Sequence, residues 1–135
     1  MSGEIINILT EFKTQLTAFF DELIEQFPMK GDLVVMRLFI ASQLPLETAI
    51  IKFYNKVNGE DGLVKKMVKN RNIDFFLKHN VFDDLGETKS GGVFKELWEE
   101  NDIDQEDLDV IWQWVDALIY IADKYAKYKA STMTV

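Results

Sequence analysis

Cysteine is absent from this sequence, and proline and histidine are scarce. Without a thiol, the chain can form no disulfide scaffold, no thiolate nucleophile and no cysteine-based zinc site. Two prolines and seven glycines leave little length for linkers, and there is one histidine, His79. A reducing compartment suits the absence of cysteine, so we expect an intracellular protein.

Long apolar runs are also missing. The longest, from residue 33 to residue 41, is interrupted by Arg37 and falls short of the ~18 residues that a membrane-spanning helix needs. The N-terminus carries Glu4 and lacks the basic region of a signal peptide. We therefore expect a soluble protein with no membrane partner.

The motifs that would indicate catalysis or ligand binding are incomplete. His79 has no cysteine to pair with, and residues 89–92 lack the glycine that precedes the lysine of a phosphate-binding loop. The acids from Asp102 onward begin like a calcium loop. That loop requires glycine at its sixth position and glutamate at its twelfth, where this chain has Asp107 and Gln113. The sequence predicts no enzyme activity, no metal and no cofactor.

The remaining composition is that of a globular protein with one domain. Of the 135 residues, 47% are hydrophobic and 28% are charged, which is typical of a chain that folds around its own core. Apolar residues recur at helical spacing, and no strand-like alternation is found. We predict an all-α, single-domain helical bundle of about five to seven helices, with long N- and C-terminal helices. The domain is predicted to span residues 1–129, followed by a frayed tail at 130–135.

The limits of several helices can be predicted from capping and helix-breaking residues. A first helix is expected from Gly3 to Gln26, followed by Pro28. The next helix, LVVMRLFIASQ, can be capped by Asp32 and is apolar on nearly every side, so we predict that it is central. Asn58-Gly59 should close a third helix, and Asn72 is a plausible cap of a short one. Asp104 with Asp107 resembles a capping box that opens the last helix.

Charge is distributed unevenly along the chain. The net charge is −8, but residues 52–78 carry seven bases and three acids, while residues 83–109 carry eleven acids and two bases. An acidic protein lacks the clustered lysine and arginine that phosphate contacts need, so no nucleic-acid partner is expected. The acidic block supports an alternative function, in which the protein mimics a nucleic acid and inhibits a basic host or viral protein.

Three segments in order, FFDELIEQFPMKGDL (19–33), NIDFFLKHNVFDDL (72–85) and VIWQWVDALIYIADKY (110–125), carry a family resemblance. Together they resemble small helical proteins of large nucleocytoplasmic DNA viruses, of the phycodnavirus or mimivirus kind. The resemblance implies a viral origin, a place in the host cytoplasm or the virion, and no particular catalytic activity.

The last helix carries apolar residues on two nearly opposite sides. One broad stripe, from Leu108 to Tyr125, is assigned to the core, and a second stripe is predicted to contact another chain unless the helix is central. The predicted interface residues are Val110, Trp114, Ala117, Ile121 and Tyr128. The sequence thus predicts a non-catalytic protein–protein interaction module, a viral adaptor or minor assembly component, with a protein partner or a homo-oligomer.

Overall fold

Four long helices make up most of the chain that the computed structural model describes, namely residues 3–75 and 103–133. They are α1 (Gly3–Gln26), α2 (Gly31–Ser42), α3 (Leu46–Lys69) and α4 (Gln105–Met133). These described ranges contain no strand, and one core cluster joins side chains of all four helices. The predictions of an all-α fold, a single compact domain and long terminal helices are confirmed.

Helix α1 has the limits that the sequence predicts. Its apolar positions step by three and four residues, which places them on one side of the helix. Phe12, Leu16 and Phe19 are fully buried, and Phe12 lies 6.0 Å from Phe53 of α3 between ring centroids. Ile8 is also buried, whereas Ile6 lies on the other side of the helix and is half exposed. Helix α1 therefore supplies one wall of the core along its whole length.

Helix α3 is broken where the sequence predicts that a helix ends. Glu60, Asp61 and Gly62 all have positive φ angles, of 52°, 59° and 76°. This left-handed conformation is readily available to glycine and disfavoured for other residues. The break changes the direction of the helix, and Val64 and Val68 of the last two turns are again buried.

Helix α4 contacts both α1 and α3. Towards α1, the Lys124 ammonium lies 2.9 Å from a carboxylate oxygen of Glu11. Towards α3, the hydroxyl of Tyr125 donates a hydrogen bond to Glu47. Helix α4 therefore has neighbours on two sides, and α1 is the described helix that contacts all three others.

Helix α2 is peripheral, which contradicts the prediction that it is central. Among the described helices, only α1 makes extensive contact with it. Leu33, Met36 and Ile40 are buried against the core, while the opposite side of the helix is exposed. A helix that is apolar all round is typical of a position surrounded by protein. In this protein the rest of the described chain covers one side of α2 only.

The predicted caps have mixed outcomes. Asp104 accepts a hydrogen bond from the backbone N–H of Asp107 at 2.9 Å, and Asp107 accepts one from Asp104 at 3.2 Å, so the capping box is confirmed. Asn72 accepts one from the N–H of Phe75 at 3.0 Å, as a cap should. Asp32 makes no cap, because α2 begins at Gly31, two residues earlier than predicted, and Lys30 holds the cap position.

The C-terminal boundary differs from the prediction, because α4 continues past residue 129 as far as Met133. Other predictions fall on residues outside the described ranges. They concern His79, residues 89–92 and the acids between residues 83 and 102. In the segment 72–85, Phe75 is described and is half-buried against the core.

None of the described helices is by itself long and apolar enough to cross a membrane. Only α2 and α3 taken together reach the required length and composition, and their axes are bent by 120° at the junction.

Candidate protein-binding surfaces

The predicted interface on α4 lies largely inside the folded chain. Ile121 is 2% exposed and belongs to the core. The other predicted interface residues are half-buried, and they are Val110, Trp114, Ala117 and Tyr128. The interface prediction is therefore wrong for Ile121, because no partner can reach that side chain without opening the domain. For the four half-buried residues, contact with another chain stays a prediction.

Trp114 explains why α4 needs a second apolar stripe. Its ring stacks on Phe19 of α1, with centroids 5.7 Å apart and planes 25° from parallel. Its indole N–H donates a hydrogen bond of 2.8 Å to Glu22, also on α1. A helix with neighbours on two sides requires two apolar faces. At Trp114 the second apolar stripe faces α1. The sequence allows this arrangement as the alternative to contact with another chain.

A group of adjacent exposed apolar side chains is found on α2 instead. We define the α2 outer face as Val34, Val35 and Leu38, which are 39%, 49% and 57% exposed. Positions i, i+1 and i+4 lie on one side of a helix. The sequence does not indicate this surface, because a helix that is apolar all round predicts burial on every side.

The α2 outer face carries almost no net charge. Asp32 and Arg37 are the only charged residues of α2. The Arg37 guanidinium lies 2.6 Å from the carboxylate of Asp21 on α1. Hydrogen bonding to Asp21, together with its negative charge, raises the pKa of Arg37 above its usual value. Because this positive charge is paired, a partner of the α2 outer face meets a nearly neutral surface.

A second candidate surface is a small open concavity between the C-terminal half of α1 and the start of α4. We call it the α1–α4 notch, and it is shallow, with a cavity volume of about 20 Å³. Its lining combines aromatic and aliphatic side chains with two carboxylates, and it consists of Phe19, Glu22, Leu23, Gln26, Phe27, Asp107, Val110, Ile111 and Trp114. Val110 and Trp114, two predicted interface residues, thus help to form a surface concavity.

The basic block of residues 52–78 is partly neutralised by acids of α4. The guanidinium of Arg71 donates hydrogen bonds of 3.1 and 2.8 Å to the two carboxylate oxygens of Asp116, which raises the pKa of Arg71. Lys65 lies 2.7 Å from Asp123. These pairs join Lys65 of α3 and Arg71, which follows α3, to α4, so both basic side chains contribute to the fold.

Metal ligands do not converge in the part of the chain that is described. Within residues 3–75 and 103–133, no three histidine, aspartate or glutamate side chains are placed to hold one ion. In the same ranges, every buried side-chain nitrogen and oxygen has a hydrogen-bond partner. No protein-family model, curated protein or solved structure matches the chain.

Proposed function

We propose that this chain is a non-catalytic protein–protein interaction module that binds an apolar helix of a partner through the α2 outer face. The observation that carries the proposal is the contrast between the two sides of α2. Leu33 is fully buried on one side, and Leu38 is 57% exposed on the other. Exposed apolar side chains that adjoin one another on one surface are typical of sites that a partner covers.

The shape and charge of the face define the partner. Val34 and Leu38 are four residues apart, so they form a ridge that fits the groove between the side-chain rows of another helix. Since the charge of Arg37 is paired with Asp21, the complementary surface should be apolar and nearly neutral. Screening by salt weakens interactions between charges and leaves apolar contacts largely intact. Binding through the α2 outer face should therefore persist at high salt.

The test is a pull-down with wild-type protein and the variant Leu38→Asp from cells that express the protein, read by mass spectrometry after washes in low and high salt. We expect one protein to be retained by the wild type in both washes and lost from Leu38→Asp. The matched control is Ile6→Asp, which places the same charge at a half-exposed apolar position of α1. Circular dichroism establishes that both variants fold.

The proposal fails if Ile6→Asp loses the same protein, or if the retained protein leaves the wild type in high salt. A second copy of the chain is a different outcome. Light scattering would then show a dimer whose amount depends on protein concentration and which Leu38→Asp abolishes. In that case the partner of the α2 outer face is a second copy of this chain and not another protein.

The alternative function, mimicry of a nucleic acid, is favoured by the acids at the start of α4. Asp104, Glu106 and Asp109 are exposed there, and the rest of the acidic block lies outside the described residues. An acidic surface that occupies a basic site should be released steeply as salt screens it. A partner that is lost in high salt and unaffected by Leu38→Asp would favour this function.

The proposed viral role, as an adaptor or minor component of an assembly, rests on the resemblance of the three sequence segments. It requires that the retained protein come from an infected cell or a virion. A retained protein of an uninfected cell would contradict this part of the proposal and leave binding through α2 in place.

A further inference from the structure

The floor of the α1–α4 notch is built from rigid apolar groups. Phe19 is fully buried, and Trp114 stacks on it at 5.7 Å, so the two rings support one another. Val110 and Phe27 are half-buried at the notch, which leaves part of each open to a ligand. Aromatic groups held in this way offer apolar contact area with little loss of side-chain entropy on binding.

The size of the notch limits what it can hold. Its cavity volume of about 20 Å³ is far below the roughly 300–1,000 Å³ of a typical pocket for a drug-sized molecule. A concavity this shallow takes no more than the end of one apolar side chain that projects from a partner.

Two carboxylates beside the apolar floor are held in fixed positions. Glu22 accepts the indole N–H of Trp114 at 2.8 Å, and Asp107 is held by its reciprocal hydrogen bonds with Asp104. None of the residues that line the notch is basic. Glu25 lines an adjoining depression together with Glu22 and extends the acidic edge. The notch is therefore apolar at its floor and negatively charged around it.

We infer that the α1–α4 notch is a second docking site, separate from the α2 outer face, for a cationic segment of a partner protein that inserts one apolar side chain. The apolar side chain lies against Trp114 and Val110, and lysine or arginine residues beside it face Glu22 and Asp107. Opposite charges on both sides of an apolar anchor fix the orientation of the segment and increase its rate of association. A nucleic acid is disfavoured here, since its phosphates would be repelled by the same carboxylates.

The experiment is a titration of ¹⁵N-labelled full-length protein with the synthetic peptide Gly-Lys-Lys-Leu-Lys-Lys-Gly. The readout is the indole N–H resonance of Trp114, which is assigned by its disappearance in Trp114→Phe. We expect this resonance to shift and saturate. Replacing the leucine of the peptide by alanine should weaken binding about tenfold, and replacing its lysines by glutamate should abolish the shift.

The charge requirement is tested with Glu22→Gln and Asp107→Asn, which keep a hydrogen-bond acceptor and remove the charge. Each exposed ion pair contributes modestly, so the double variant should bind the peptide about fivefold more weakly than wild type. The control is Glu60→Gln with Asp61→Asn, which removes the same charge at the exposed break in α3. Raising the salt to about 0.5 M should reduce the affinity for wild type and have little effect on the double variant.

The inference is overturned if the Trp114 resonance does not shift, if the acidic peptide shifts it equally, or if the control variant weakens binding as much as the notch variant. These outcomes are independent of the proposed function. Leu38→Asp should leave the peptide titration unchanged, whereas the notch variant should leave a salt-resistant partner of α2 bound. If only the pull-down or only the peptide titration fails, the failed test identifies which of the two surfaces has been wrongly assigned.

Discussion

Helices α2 and α4 are both apolar on more than one side, yet they occupy opposite positions in the protein. Helix α4 contacts both α1 and α3, and its Ile121 is 2% exposed. Helix α2 contacts α1 extensively on one side and leaves Leu38 57% exposed on the other. The same kind of sequence pattern thus accompanies burial in one helix and a candidate binding surface in the other.

Length accounts for much of this difference. Helix α4 has 29 residues and is about 43 Å long at ~1.5 Å per residue, so it can match α1 and α3 over their whole extent. Helix α2 has 12 residues, or about 18 Å, and it is bounded by the Phe27-Pro28 and Pro45 turns. A long helix with neighbours on two sides buries apolar side chains against both of them. A short helix can bury its apolar side chains against one neighbour. Apolar pattern and helix length must therefore be considered together.

The largest expected effect comes from placing a charge in the second stripe of α4. Ile121→Asp puts a carboxylate at a position that is 2% exposed. We expect a loss of about 4 kcal/mol or more, which is much of the total stability of a domain of this size. Thermal unfolding followed by circular dichroism measures it. A folded variant with an unchanged transition would show that this stripe is open to solvent or to a partner.

A smaller effect, and a sharper comparison, comes from the same substitution on the two sides of α2. Leu33→Ala should destabilise the protein by about 2–5 kcal/mol, because it removes a fully buried side chain. Leu38→Ala should change stability by no more than about 0.5 kcal/mol, since Leu38 is mostly exposed. Urea unfolding of the two variants provides the measurement. Equal losses would mean that both sides of α2 are covered.

The cap of α4 is the next test in order of size. Asp104→Ala should cost about 1 kcal/mol, because the N–H of Asp107 loses its acceptor. Asp104→Asn keeps an acceptor and should cost a few tenths of that amount, so it separates the hydrogen bond from the charge. The measurement is again urea unfolding. Equal costs for the two variants would assign the effect to charge instead of to the hydrogen bond.

The smallest effect is confined to alkaline solution and concerns the contact of α4 with α3. Burial, together with the hydrogen bond to Glu47, raises the pKa of Tyr125 well above that of a free tyrosine. The folded state therefore retains the Tyr125 proton at a pH where the unfolded chain has released it. The stability that the hydroxyl contributes is present below pH 10.0, the ordinary pKa of tyrosine, and is lost as the pH rises from there towards the folded value.

Tyr125→Phe measures this contribution directly. We expect the stability difference between wild type and Tyr125→Phe to shrink as the pH rises above about 10. Tyr120→Phe, at a tyrosine that is 66% exposed, serves as the control. A difference that stays constant with pH, or one that Tyr120→Phe reproduces, would contradict the coupling between Tyr125 and Glu47.

Local features of this fold could be predicted from the sequence, since they depend on neighbours in the chain. The limits of α1, the break after Asn58 and the Asp104–Asp107 capping box follow from spacing and capping residues, and the structure confirms them. The surroundings of α2 and α4 depend on how distant helices pack. The pairing of Trp114 with Glu22 spans 92 positions, and no local pattern indicates it. The sequence therefore identifies both apolar helices and does not indicate which of them leaves apolar side chains exposed.

The central claim is that the outer face of α2 is open to solvent while Ile121, in the second stripe of α4, is buried. It is tested most directly by adding a soluble paramagnetic agent to dilute, methyl-labelled protein and measuring the relaxation of individual methyl resonances. The account predicts strong relaxation enhancement at the methyl groups of Val35 and Leu38, and protection at those of Ile121. Protection of Leu38 to the same degree as Ile121 would contradict it, because the α2 outer face would then already be covered.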